Sequence, residues 1–191
     1  LFAIISAGIV LLLIYYIRNR QRKHQAEIKR YIDIIADMEL MRKDNSTNNM
    51  LNATIDRLYR SSLDEINELC EIYYEQSDSS RLASKIFAQV ESNIERLKSD
   101  RKRIEELESA VNISHNDIMA KLREQCPGLT EREMRIALYS YAGFSNLFLL
   151  LLVGANAEML PKVKYSIREH IKIANAIDCD MLIAPLSQRK R

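Results

Sequence analysis

Basic side chains near the end of the chain have a spacing that could do chemistry. Lys164, Arg168 and Lys172 recur every four residues, so they form one row on a helix, with Lys162 and Ser166 further round. Such a row can contact the phosphates of a nucleic acid, and Lys164 or Arg168 can reach base edges in a major groove. The sequence therefore predicts a DNA-binding site made of Lys162, Lys164, Ser166, Arg168 and Lys172.

A solvated helix face explains the same row equally simply. Glu158 and Glu169 lie among the positive residues and would oppose a polyanion. The formal net charge of the 191 residues is only +2, so any nucleic-acid signal has to be local rather than global. Both interpretations of the row stay open at this point.

Catalytic and metal-binding patterns are not evident in the sequence. His24, His115 and His170 lie on different segments, without a Cys, Asp or Glu partner at a metal-ligand spacing. The glycines are isolated, so no phosphate-binding loop is predicted. Three cysteines, Cys70, Cys126 and Cys179, suggest free thiols in a reducing compartment. We expect neither an enzyme nor a bound metal or cofactor.

The elements that position the basic row are three short helices. Thr130 and Glu133 form a capping-box pattern at the start of the first helix, and Gly143 is suited to end it. Ser145 can cap a second helix that carries the apolar run 147–153. The third helix, with Pro161 in its first turn, repeats apolar residues at helical spacing. This is the outline of a helix-turn-helix.

The second helix is apolar on every side, which allows two interpretations. A helix of this kind is either fully buried or partly exposed as an association surface. A dimer or partner contact through Leu147, Phe148 and Leu151 is one hypothesis, and a buried core helix is the other.

Two motifs carry a resemblance to a known family. The segments LTERE, 129–133, and AGFSN, 142–146, resemble the opening of a LuxR-type helix-turn-helix, and residues 163–168 resemble its recognition helix. The chain is more similar still to the C-terminal part of membrane-anchored tetratricopeptide-repeat regulator-like proteins of the Bacteroidota. That resemblance implies a membrane helix, a helical stalk, a DNA-binding domain and a role in signal transduction. It also implies a repeat region upstream, and since the first residue is not Met, we expect the chain to be a fragment of a longer protein.

The first 17 residues are uncharged and strongly apolar. As a helix they cover roughly 26 Å, close to a hydrocarbon core of about 30 Å. Interfacial tyrosines and a basic cluster follow at once, as the positive-inside rule expects of a cytoplasmic flank. We therefore predict a single transmembrane helix over residues 1–17, with a membrane interface formed by Tyr15, Tyr16, Arg18, Arg20, Arg22 and Lys23.

Amphipathic segments fill the middle of the chain. Polar breaks at 43–49 and 77–80 separate helices whose apolar residues recur near heptad spacing. An antiparallel hairpin and a dimeric coiled coil both fit this pattern. The predicted all-α organisation is a transmembrane helix at 1–17, a basic juxtamembrane helix at 18–44, a hairpin or coiled-coil stalk at 45–112, a helix-turn-helix-like domain at 113–175 and a tail at 176–191.

Taken with the resemblance, these features predict a membrane-tethered transcriptional regulator of the inner, cytoplasmic membrane whose C-terminal domain faces the cytoplasm and binds DNA. The alternative is a protein-interaction or oligomerisation module that descends from a helix-turn-helix domain and does not bind DNA. The expected partners are the membrane, DNA, a second copy of the chain, and a protein that docks on the apolar second helix.

Overall fold

A computed structural model describes residues 2–44, 49–75, 80–155 and 157–187. These residues form nine α-helices and no strand, which confirms the all-α prediction for the described part of the chain. The helices are α1 (Phe2–Asp44), α2 (Asn49–Glu75), α3 (Ser80–Ser99), α4 (Arg101–Ser114), α5 (Ile118–Gln125), α6 (Glu131–Tyr141), α7 (Asn146–Val153), α8 (Met159–Ile173) and α9 (Cys179–Ser187).

The predicted transmembrane helix over residues 1–17 is wrong. None of the helices in the described ranges is both long enough and apolar enough to cross a membrane. The same finding overturns the predicted location in the inner membrane. It also removes the basis for an interface formed by residues that lie further along α1, namely Tyr15, Tyr16, Arg18, Arg20, Arg22 and Lys23.

Helices α2 and α3 lie antiparallel, and α4 continues the second arm after a break at Asp100. Two ion pairs show the antiparallel arrangement: Arg96 of α3 lies 3.2 Å from Glu65 of α2, and Arg57 of α2 lies 2.9 Å from Glu106 of α4. From the first pair to the second, the residue number falls in α2 and rises in the second arm. Asp100 caps α4 by accepting a hydrogen bond of 3.1 Å from the backbone N–H of Arg103. Intramolecular packing therefore accounts for the apolar faces of this hairpin.

A continuous buried cluster joins the hairpin to the C-terminal helices. Helix α1 contributes Ile28, Ile34 and Ile35, and it packs against α2, α3 and α7. Aromatic rings bridge α2 and α7, since Tyr59 lies edge-on to Phe144 at 5.4 Å and to Phe148 at 5.8 Å between ring centroids. The predicted stalk, residues 45–112, and the predicted C-terminal domain, residues 113–175, therefore share one hydrophobic core.

Candidate nucleic-acid interface

The N-terminus of α6 is fixed by the pair that the sequence indicates. The backbone N–H of Glu133 donates to Thr130 Oγ1 at 3.3 Å, and Glu133 Oε2 accepts from the backbone N–H of Thr130 at 2.9 Å. This reciprocal capping box satisfies two backbone donors that a helix start otherwise leaves without partners. It also holds the Glu133 carboxylate rigidly at the end of the helix.

A glycine turn connects α6 to α7. Gly143 has φ of 83°, a left-handed conformation that glycine adopts without a Cβ clash. The N–H of Phe144 then donates to Tyr139 O at 3.0 Å, which closes the C-terminus of α6. Ser145 caps α7 by accepting from the N–H of Phe148 at 3.1 Å. The turn and both caps agree with the sequence-based prediction.

Helix α7 is a core helix rather than an open association surface. It packs against α1, α3 and α6, and five of its eight residues are buried. Of the predicted interaction residues, Phe148 is fully buried, Leu151 is 6% exposed, and Leu147 is 41% exposed. The structure therefore brings only Leu147 of these three to the surface.

Helix α8 packs on α6 and α9 through an apolar stripe. Pro161 sits in its first turn, where a missing backbone N–H removes no helical hydrogen bond. Leu160, Ile167 and Ile171 are buried along the inner face. This stripe fixes the rotation of α8 and hence which of its polar residues face solvent.

Lys164, one of the predicted DNA-binding residues, lies on the inner face. It is only 8% exposed, and its Nζ donates a hydrogen bond of 3.0 Å to Asn146 Oδ1 in the first turn of α7. Burial lowers the pKa of Lys164, and the nearby charge of Arg168 lowers it further. Lys164 therefore joins α8 to α7.

Ser166 also makes an internal contact. Its Oγ donates to Glu133 Oε1 at 3.0 Å, and His170 Nδ1 lies 3.8 Å from the same oxygen. Burial alone would raise the pKa of Glu133, but hydrogen bonds from Thr130 and Ser166 and the proximity of His170 lower it below its usual value. The carboxylate that caps α6 thus also anchors α8.

Arg168 lies at the boundary between the interior and the surface. Its Nη1 donates to the backbone carbonyl of Leu186 on α9 at 3.2 Å. The guanidinium carbon also lies 5.9 Å from the centroid of the Tyr165 ring, within the range of a cation–π contact. A nucleic acid that used Arg168 would compete with its contact to α9.

The outer face of α8 displays Lys162, Tyr165 and Lys172. All three are exposed, Tyr165 to 57%. Lys172 forms an ion pair of 2.8 Å with Glu169, and this hydrogen bond raises the pKa of Lys172. The structure therefore places Lys162 and Lys172 outward and Lys164 inward. Tyr165, which lies in the segment that resembles a recognition helix but is not one of the predicted DNA-binding residues, lies between the two outward lysines.

Comparisons with known proteins find no match to this chain, either among family models, among curated proteins or among solved structures. Metal-binding geometry is likewise not found in the described residues, where no group of three His, Cys, Asp or Glu side chains could hold an ion.

Proposed function

We propose that this chain is a DNA-binding regulatory protein in which α6, α7 and α8 present the outer face of α8 to a duplex. The observation that carries the proposal is the pair of polar contacts that fix α8. Lys164 binds Asn146 of α7, and Ser166 binds Glu133 of α6, both at 3.0 Å. These two contacts lie on either side of the buried stripe and fix the orientation of α8, so that Lys162, Tyr165 and Lys172 stay exposed.

The outer face has dimensions that suit a major groove. Lys162 and Lys172 are ten residues apart, about 15 Å along a helix, and a B-DNA major groove is about 12 Å wide. The ammonium groups of Lys162 and Lys172 can therefore contact phosphates on opposite sides of the groove. Tyr165 projects between the two lysines, where its hydroxyl can donate to a base edge or a phosphate.

Acidic neighbours limit the strength of this binding. Glu169 holds Lys172 at 2.8 Å, and Glu158 is exposed beside the start of α8. A polyanion has to displace Glu169 before Lys172 can contact phosphate. We therefore expect weak, strongly salt-dependent binding by one copy of the chain, with tighter binding when two copies contact adjacent sites.

Fluorescence anisotropy of a labelled duplex with the full chain tests the proposal. The double variant Lys162→Ala/Lys172→Ala should bind at least about tenfold more weakly at low salt, because two phosphate contacts are lost. The matched control is Lys85→Ala/Lys102→Ala, which removes the same charge from exposed sites on α3 and α4. Equal losses in both variants would mean that α8 is not the interface.

A second candidate function, association with another protein or another copy of the chain, is favoured by a different observation. Every residue from Ile9 to Ile17 on α1 is between 46% and 69% exposed, although all of them are large and apolar. A contiguous apolar surface of this kind is typical of an interaction site. Sedimentation analysis of the full chain and of Leu12→Glu would test it: a stable assembly that the charge disrupts would support association through α1.

A further inference from the structure

Helices α5 and α9 are held together at one point by a glutamine and an aspartate. Gln125 Nε2 donates to Asp178 Oδ2 at 2.8 Å, and Gln125 Oε1 accepts from the backbone N–H of Asp178 at 3.3 Å. Lys121 Nζ adds an ion pair with Asp178 at 3.7 Å. A glutamine amide reaches another segment's backbone only when the two segments lie within one side-chain length of each other.

A cysteine follows each member of this pair. Cys126 comes directly after Gln125 at the end of α5, and Cys179 comes directly after Asp178 at the start of α9. Cys126 is buried, Cys179 is partly exposed, and both are free thiols. Burial raises the pKa of the Cys126 thiol, and the nearby Cys179 raises it further.

We propose that Cys126 and Cys179 are a redox-active thiol pair that closes into a disulfide in the presence of a peroxide and joins α9 to α5. The more accessible Cys179 reacts first: its thiolate displaces hydroxide from hydrogen peroxide to give a sulfenic acid, and protonation of the hydroxide gives one water. The Cys126 sulfur then attacks the sulfenic sulfur, the S–S bond forms, and a second water leaves with the proton of Cys126. Two thiols are oxidised and one peroxide is reduced to two waters.

The disulfide would restrain α9, which contacts Arg168 of the candidate nucleic-acid interface. Leu186 of α9 accepts the hydrogen bond from Arg168, and Leu182 of α9 accepts one of 2.9 Å from the Tyr141 hydroxyl. Closing the disulfide keeps α9 in place and so keeps Arg168 engaged. The chemistry of the pair does not depend on DNA binding, so the two proposals fail or succeed separately.

The third cysteine provides an internal control. Cys70 lies buried on α2, away from both segments, and burial raises its pKa to about 12. A thiol with so high a pKa is a poor nucleophile at neutral pH. Cys70 should therefore stay reduced under conditions that oxidise the other pair.

The test treats the native full chain with a small excess of hydrogen peroxide, counts thiols after denaturation, and maps the linkage by mass spectrometry. We expect the count to fall from three to one, with a linked pair of peptides containing Cys126 and Cys179, and dithiothreitol should restore all three. The oxidised protein should melt higher by on the order of 5–10 °C. Cys70→Ser should form the same linkage, with its count falling from two to none, and Cys179→Ser should leave Cys126 reduced.

Three retained thiols, a linkage that includes Cys70, or a Cys179 that is oxidised to sulfinic acid while Cys126 stays free would each overturn the proposal. Circular dichroism of each variant before oxidation separates a failure to fold from a failure to react.

Discussion

The Nζ atom of Lys164 donates a hydrogen bond of 3.0 Å to the side-chain oxygen of Asn146, although the two residues are eighteen positions apart in the chain. This contact ties the first turn of α7 to the inner face of α8. A lysine on a helix with several basic residues is usually a surface charge, but this one is 8% exposed. Its role is therefore to orient α8, and the outward lysines Lys162 and Lys172 are the ones available to a partner.

Replacing Lys164 should mainly affect stability. We expect Lys164→Ala to lower the free energy of unfolding by about 1–3 kcal/mol, because a buried hydrogen bond and the packing of its methylene groups are both lost. The exposed Lys162→Ala should change it by less than about 0.5 kcal/mol. Urea denaturation of the two variants measures the difference. A Lys162→Ala variant that is the less stable of the two would contradict this assignment.

Glu133 should make the protein less stable at acidic pH. Its carboxylate accepts hydrogen bonds from Thr130 and Ser166, and its pKa lies below the usual value of 4.5. A lowered pKa means that the contribution of the carboxylate is complete above about pH 4.5 and is lost as the pH falls through the folded-state pKa. Glu133→Ala should cost about 2 kcal/mol at neutral pH.

The matched variant Glu133→Gln keeps an acceptor oxygen but cannot titrate. We expect it to cost less than Glu133→Ala and to lose less stability than the wild type on acidification. Thermal melts from pH 7 to pH 3 test this expectation, and parallel curves for the wild type and Glu133→Gln would exclude the carboxylate as a source of acid sensitivity.

Two glycines offer a comparison that isolates backbone strain. A Cβ atom at Gly128 or at Gly154 would meet nothing within 4 Å, but only Gly154 has a left-handed φ, of +62°. Gly154→Ala should therefore cost about 1 kcal/mol, whereas Gly128→Ala should be neutral or stabilising by up to about 1 kcal/mol. Chemical denaturation distinguishes them, and equal costs at both sites would show that conformation is not the cause.

His24 should make α1 sensitive to mildly acidic pH. Its ring stacks on Phe87 of α3 with centroids 3.9 Å apart. Burial lowers the pKa of His24 below 6.5 and Arg20 lowers it further, against smaller opposing effects of Glu91 and Glu27. The unfolded chain therefore takes up the proton first, so stability falls as the pH drops below about 6.5. His24→Phe should remove this part of the pH dependence in melts between pH 8 and pH 5, while His24→Phe curves that follow the wild type would show that another group is responsible.

Local signals in the sequence were sufficient for the helix boundaries around α6 and α7. The pair Thr130 and Glu133, the turn at Gly143 and the cap at Ser145 each depend on residues within five positions of one another, so no tertiary information is needed. The orientation of α8 about its own axis was predicted only in part, because it depends on contacts with residues that are distant in the sequence. The apolar stripe of α8 was identified, but the burial of Lys164 beside that stripe depends on Asn146 of another helix.

The two apolar stretches show where composition alone misleads. The run in α7 allowed a buried helix and an exposed one, and the choice was made by α1 and α3, which are distant in the sequence. Residues 1–17 suggested a membrane span because their hydrophobicity is high, but none of the helices in the described ranges is long and apolar enough to cross a membrane. The pattern of charged residues does not indicate the exposed Tyr165, because an aromatic side chain adds nothing to a charge pattern.

The salt dependence of DNA binding by the full chain tests the proposed role of α8 most directly. We predict that the logarithm of the binding constant falls linearly with the logarithm of salt concentration, and that Lys162→Ala/Lys172→Ala makes the slope shallower by about 2, one unit for each lost phosphate contact. The Lys85→Ala/Lys102→Ala control should keep the wild-type slope. A wild-type chain that does not bind DNA even at low salt, or a slope that the α8 variant leaves unchanged, would contradict the assignment of α8 as a DNA-binding helix.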